Sequence, residues 1–100
     1  MVMMMARNLE QVILTHPKDN VVTAKSIIRA GTVVTLPGGK RMEVREEIPF
    51  AHKIALRKIP RGGAVIKYGE RIGKAVRPIQ PGELVHIHNV AGERGKRRGK

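Results

Sequence analysis

The sequence contains no cysteine and no tryptophan, and its aromatic side chains are one Phe and one Tyr among 100 residues. Without cysteine, neither a disulfide framework nor a thiolate metal site can form, so packing must stabilise the fold. The apolar fraction is 41%, so we expect a core of Val, Ile, Leu and Ala. A chain of this length buries roughly two-thirds of the surface that its unfolded form exposes, which is enough for one modest domain.

Acidic residues are also scarce, because eight Asp and Glu face twenty Lys and Arg, for a formal net charge of +12. Residues 92–100 hold five basic side chains and one acidic one, so the other 91 residues still carry +8. A field of this sign attracts anions. Two aromatic side chains make a poor platform for stacking bases, which makes nucleic acid the weaker candidate among them.

Long hydrophobic runs are absent as well. The N-terminal MVMMMARNLE is apolar for only six residues, so the sequence predicts neither a signal peptide nor a membrane span. We expect a cytoplasmic location. The chain also lacks a GxSxG elbow, a zinc-finger pattern and a glycine-rich phosphate loop.

The first half of the chain predicts one strand followed by one helix. Residues 10–16, EQVILTH, contain a short apolar run typical of a buried strand. In the following HPKDNVVTAKSIIRAG, Val21, Ala24 and Ile28 recur at helical spacing, and Gly31 is suited to end a helix. This predicts a short amphipathic α-helix.

The rest of the chain alternates short apolar runs with turn residues. TVVTL and KRMEVREE read as strands joined by PGG, while AHKIALRKI fits either a helical turn or a strand. The pattern Ile-x-x-Gly-x-x-Val occurs three times, at Ile28–Val34, Ile59–Val65 and Ile79–Val85. Each copy suits a tight turn between buried residues. We therefore expect a mostly β fold of short strands with one short α-helix.

The segment LVHIHN, residues 84–89, offers the main candidate site. In a strand, Val85 and Ile87 would face the core while His86 and His88 share the opposite face. Two imidazoles on one face can bind a divalent metal, or one can orient an anion while the other moves a proton. An ordinary polar outer face of a strand explains the pattern equally well, and no third metal ligand is specified by spacing.

A second candidate is the basic pair His52 and Lys53, which follows IPFA. A cationic pair beside a rigid proline and the Phe50 ring would suit a carboxylate, although an exposed loop is the simpler interpretation. Tyr68 and Gly69 are mainly a turn signal.

Taken together, HPKDNVVTA, IPFAHKIALRKIPRGGAVIKYGERIGKAV and IQPGELVHIHNV resemble the small subunit, or N-terminal domain, of the altronate and galactarate dehydratase family. The alpha subunit of sulfolactate sulfo-lyase is a near relative of that family. The resemblance runs from about Leu14 to Val90. It implies a SAF-type β-clip domain and the elimination of water from a sugar acid to give a 2-keto-3-deoxy acid, supported by a divalent metal, typically iron.

The resemblance also implies roles for individual residues. The motif positions carried over are His52, Lys53, His86, His88 and Asn89, and the resemblance leaves open which of them bind metal and which bind substrate. We expect His86 and His88 to be catalytic and to bind the metal, and His52, Lys53 and Asn89 to bind substrate. Ala51 departs from the family pattern, which has glycine there. Residues 1–91 would form the domain and residues 92–100 a disordered basic tail.

Three hypotheses about function follow. The first is a separately encoded dehydratase small subunit, inactive alone, whose site is completed by a large catalytic subunit and a shared iron. The second is a stand-alone SAF-type module that binds a carbohydrate or anion without catalysis. The third is a basic nucleic-acid binder, which would lose affinity steeply with salt.

Overall fold

The computed structural model describes residues 7–92, which form short β-strands joined by tight turns. No α-helix occurs within this range, and the one 3-10 turn is Pro37–Gly39. The prediction of a mostly β fold is therefore confirmed. The strands are β1 (Arg7–Asn8), β2 (Val12–Leu14), β3 (Val21–Ala24), β4 (Val33–Thr35), β5 (Arg41–Glu43), β6 (Lys53–Ala55), β7 (Ala64–Lys67), β8 (Glu70–Ala75), β9 (Leu84–Val85) and β10 (Val90–Gly92).

The strands form three antiparallel groups. A five-stranded sheet has the order β1-β2-β3-β6-β9, a three-stranded sheet has the order β10-β8-β7, and β4 pairs with β5 in a hairpin. The predicted turns at PGG and at Tyr68-Gly69 are both confirmed. Tyr68 and Gly69 each have positive φ, as a two-residue hairpin turn between β7 and β8 requires.

The predicted helix is wrong, because Val21–Ala24 is a strand of the five-stranded sheet. Val21 and Val22 are both buried but belong to different hydrophobic clusters. Adjacent residues of a strand point to opposite faces, whereas adjacent residues of a helix are only about 100° apart around its axis. Because this strand is buried on both faces, its apolar residues have a spacing similar to that of an amphipathic helix.

Two hydrophobic clusters cover the two faces of the five-stranded sheet. Val22 and Ile54 pack with the first cluster, which includes the β4–β5 hairpin. Val21, Ala55 and Val85 pack with the second, which includes the β7–β8 hairpin. The sheet is therefore the middle layer of the domain.

Each copy of the Ile-x-x-Gly-x-x-Val pattern forms the same tight turn, and this structural unit occurs four times. Gly31, Gly62 and Gly82 have positive φ at the third position of tight turns, the geometry of type II turns. The fourth copy runs from Ile48 to Ile54 with Ala51 at the glycine position, where φ is 69°. The sequence pattern missed it because Ala51 replaces the glycine and Ile54 replaces the valine.

The four copies form two equivalent halves of the domain. The first half runs from Ile28 to Ile54 and the second from Ile59 to Val85, with corresponding positions 31 residues apart. Ile28 pairs with Ile48 in the first half, and Ile59 pairs with Ile79 in the second. The last strands of the two halves, β6 and β9, are neighbours in the sheet, so residues beside them are brought together by the pairing of the halves.

Two expectations concern other parts of the chain. The predicted basic tail falls largely on residues 93–100, outside the described residues, and stays a prediction. In the part that is described, no helix has the length and apolar character needed to cross a membrane.

Candidate functional site

The LVHIHN segment is a strand end and a turn, so the predicted strand carrying both histidines on one face is wrong. β9 ends at Val85, and the Asn89 N–H donates to the His86 carbonyl at 3.1 Å. Ile87, predicted to face the core, is 82% exposed, and His88 is exposed beside it. His86, by contrast, is half-buried, so the two histidines have different environments.

The Asn89 side chain explains why the strand stops. Its Oδ1 accepts from the His86 N–H at 2.9 Å, and its Nδ2 donates to the Leu84 carbonyl at 2.8 Å. Asparagine commonly competes with strand pairing in this way by bonding to nearby backbone groups. Asn89 is buried, and its amide fixes the direction in which His86 leaves the sheet. Its role in substrate binding stays a prediction.

His86 is instead paired with His52. Lys53 lies opposite Val85 in the β6–β9 register, which places the preceding His52 beside the following His86. The centroids of the two imidazole rings are 4.7 Å apart and the rings are tilted by 55°. The two predicted segments are thus joined, but through a histidine pair that sequence spacing did not indicate.

A backbone contact sets the tautomer of His52. Its Nδ1 lies 3.0 Å from the Phe50 carbonyl. A carbonyl oxygen can only accept, so Nδ1 must carry the hydrogen and Nε2 is left as the acceptor of the neutral ring.

His86 has a lowered pKa. Burial is the largest cause, followed by the positive charges of His52, Lys53 and His88. Each of these disfavours the protonated imidazolium. His86 is therefore neutral at pH 7 and can accept a proton.

Lys53 lies beside this pair at the start of β6, opposite Thr23 of β3. It is half-buried, and its pKa is lowered by burial first and by the nearby Lys67 second. An amine held between a low-dielectric surface and a like charge favours a bound anion. Lys53 and His86 open onto a cleft of about 230 Å³, whose other lining residues are Ile72, Ile87, Val90 and Gly92.

Asp19 secures the β7–β8 hairpin. Its buried carboxylate accepts from the Gly69 N–H at 2.8 Å, the Tyr68 N–H at 3.2 Å and the Thr15 hydroxyl at 2.5 Å. These bonds hold the hairpin that carries Lys67 against the β3 side of the sheet. Sequence reasoning missed this role because the partners are distant in the chain.

The described residues do not form a complete metal site. Between residues 7 and 92, no group of three or more His, Cys, Asp or Glu side chains is placed to hold a metal ion. Catalytic metals usually take three protein ligands, and His52 with His86 supplies two at most. Metal binding by His86 and His88 stays a prediction that would need ligands from elsewhere.

Comparison with known proteins identifies the family. A model described as the altronate/galactarate dehydratase SAF domain matches residues 10–93. The chain belongs to the altronate/galactarate dehydratase SAF domain family. The match includes His52, Lys53 and His86, so the whole histidine pair lies within the SAF domain.

Individual relatives agree with this assignment. The SAF domain is 37% identical over 82 residues to altronate dehydratase of Bacillus subtilis, covering 82% of this chain and 16% of that protein. It is 43% identical over 75 residues to galactarate dehydratase (L-threo-forming) of Escherichia coli, covering 73% of this chain and 14% of that protein. It is 44% identical over 54 residues to (2R)-sulfolactate sulfo-lyase subunit alpha of Chromohalobacter salexigens, covering 54% and 57%. The chain thus spans about a sixth of the altronate dehydratase and just over half of the sulfo-lyase subunit.

Proposed function

We propose that the chain is the small subunit of a sugar-acid dehydratase of the altronate or galactarate type, with its site completed by a large subunit. The observation that carries the proposal is the half-buried His52–His86 pair beside Lys53, at an open cleft. A neutral imidazole next to an ammonium group is suited to bind a carboxylate and to take the proton next to it.

The reaction assigns a role to each side chain. Lys53 binds the carboxylate, and neutral His86 accepts the proton from the α-carbon. The electron pair of that C–H bond forms the C=C bond as the β-carbon loses its hydroxyl, which leaves as water after taking a proton from Nε2 of His52 in its protonated form. The resulting enol becomes the 2-keto-3-deoxy acid by proton transfer.

Exposed apolar side chains next to the pair support the shared site. Phe50, whose carbonyl contacts His52, is 64% exposed, and Ile87, which follows His86, is 82% exposed. Large apolar side chains exposed at a candidate site mark surfaces that a partner covers. One relative of this chain is itself named a subunit, which agrees with a multi-chain enzyme.

The test is to combine the purified chain with its large subunit and to measure 2-keto-3-deoxy acid formation from altronate and galactarate. We expect activity only in the mixture, and we expect His86→Gln and His52→Gln each to lower kcat by about 100-fold or more, the scale of general acid–base catalysis. Lys58→Met, an exposed substitution away from the site, is the control and should retain activity.

Two outcomes would contradict the proposal. Full activity of the large subunit without this chain would exclude a shared site. Binding of a sugar acid without turnover in any mixture would instead indicate the stand-alone binding module.

A further inference from the structure

A second cation, Lys67, lies beside Lys53 on the side away from the histidines. The Lys67 Nζ donates to Thr23 Oγ1 at 3.0 Å, and Thr23 is directly opposite Lys53 in the β3–β6 register. Directly opposite residues of an antiparallel pair have side chains on the same face. Thr23, Lys53 and Lys67 therefore form one cluster on one face of the five-stranded sheet, beside its inner strands β3 and β6.

Lys67 is held in place by two contacts. Besides the bond to Thr23, its Nζ lies 4.2 Å from the centroid of the Tyr68 ring. The hairpin turn that carries Tyr68 is fixed by the Asp19 carboxylate through the Tyr68 and Gly69 N–H groups. The fold thus sets the position of the Lys67 ammonium group, so binding of a ligand costs little free energy for ordering this side chain.

Among residues 7–92, the Thr23 hydroxyl accepts a hydrogen bond but donates none. Its oxygen accepts from Lys67, so its own O–H is available to donate. Two ammonium groups and a hydroxyl donor next to one another form a site for an oxyanion, because charge-assisted hydrogen bonds are stronger than neutral ones. The mutual repulsion of Lys53 and Lys67, which contributes to the lowered pKa of Lys53, is relieved when an anion binds between them.

We propose that Thr23, Lys53 and Lys67 form the subsite that binds the carboxylate of the ligand, with Lys67 and Thr23 as specificity-determining residues. The inference rests on the proposed function for the identity of the anion as a sugar-acid carboxylate. The carboxylate bridges the two ammonium groups and accepts from the Thr23 hydroxyl. The α-carbon then extends toward His86, which shares the cleft with Lys53.

The experiment measures binding by the full 100-residue chain, using gluconate as the anionic probe and sorbitol as its neutral analogue, at constant ionic strength. Lysine side-chain NMR signals are followed during the titration. We expect gluconate, but not sorbitol, to shift the signals of Lys53 and Lys67 and to raise the pKa of Lys53. Lys53→Met and Lys67→Met should each weaken binding about tenfold or more, the equivalent of one charge-assisted hydrogen bond.

Two further variants separate a specific subsite from the general positive field of the chain. Lys58→Met removes the same charge from an exposed position and should change the gluconate affinity less than twofold. Thr23→Val keeps the β-branched shape but removes the hydroxyl, so binding should weaken about threefold to tenfold, while Thr23→Ser should restore it. If Lys67→Met binds gluconate as well as Lys58→Met does, the subsite is excluded.

Binding and turnover distinguish this inference from the proposed function. Gluconate binding that depends on Lys53 and Lys67, without dehydratase activity in any mixture, would support the subsite and contradict the dehydratase assignment. Activity in the mixture that is insensitive to Lys67→Met in both KM and kcat would support the assignment and overturn the subsite.

Discussion

The imidazole rings of His52 and His86 lie 4.7 Å apart, at the junction of the two equivalent halves of the domain. His52 precedes β6, the last strand of the first half, and His86 follows β9, the last strand of the second. Because these strands pair with Lys53 opposite Val85, the histidine pair depends on the correct pairing of the halves. A candidate site built this way requires the whole domain to be folded.

The pH dependence of His86 provides the first prediction. Its pKa is lowered from the ordinary value of 6.5 by burial first and by His52 next, so its NMR titration midpoint should lie below 6.5. His52→Gln removes the neighbouring positive charge and should raise that midpoint without restoring it fully. Because the folded form binds this proton less well than the unfolded form, His86 should contribute full stability above pH 6.5 and lose it as the pH falls. A midpoint at or above 6.5 in the unmodified chain would contradict the assigned environment.

The second prediction compares two turn glycines. A Cβ added to Gly62 meets nothing within 4 Å, whereas one added to Gly82 collides with the Glu43 carbonyl oxygen. Both glycines have positive φ. Gly62→Ala should therefore cost only the backbone strain, about 1 to 2 kcal/mol, and Gly82→Ala clearly more. Urea denaturation of the two variants measures both values, and equal costs would show that the close approach at Gly82 is relieved by local movement.

Ala51 provides the third prediction, because it occupies the glycine position of its turn with φ at 69°. Ala51→Gly relieves the left-handed strain but makes the unfolded chain more flexible, so we expect a net stabilisation of about 0.5 to 1 kcal/mol. Ala30→Gly is the matched control. Ala30 occupies the preceding position of the equivalent turn and lacks positive φ, so this substitution should destabilise. Thermal denaturation should move the two midpoints in opposite directions.

The fourth prediction concerns the turn that positions His86. Asn89→Ala leaves the His86 N–H and the Leu84 carbonyl without their side-chain partner, which should cost about 1 to 3 kcal/mol. Asn89→Asp keeps the acceptor but loses the donor, so its cost should include repulsion from the Leu84 carbonyl. His88→Ala, an exposed change in the same turn, should stay within about 0.5 kcal/mol. Amide hydrogen exchange at His86 gives an independent readout and should accelerate in Asn89→Ala alone.

Several features were predictable from the sequence because they depend on local conformation. The glycines at positions 31, 62 and 82 identified three of the four tight turns, and the PGG and Tyr68-Gly69 turns identified two hairpins. The family motifs likewise selected His52, Lys53 and His86, which the structure brings together. Predictions from local residue spacing were wrong where a strand is buried on both faces, and where a side chain takes the place of a backbone hydrogen-bond partner. Val21–Ala24 then resembled a helix, and Asn89 ended a strand that was expected to continue.

The sequence by itself determined the positive charge, the cysteine-free core of small apolar side chains, the tight turns and the family, since each depends on composition or on short motifs. Only the tertiary structure decided which imidazoles meet, because the β6–β9 register joins His52 to His86 while the Asn89 turn leaves His88 exposed. It also brought Lys67 to Thr23, opposite Lys53, through a hairpin fixed by Asp19. Such contacts are set by the pairing of strands that are distant in the sequence, and the spacing of residues within one segment does not show which strands pair.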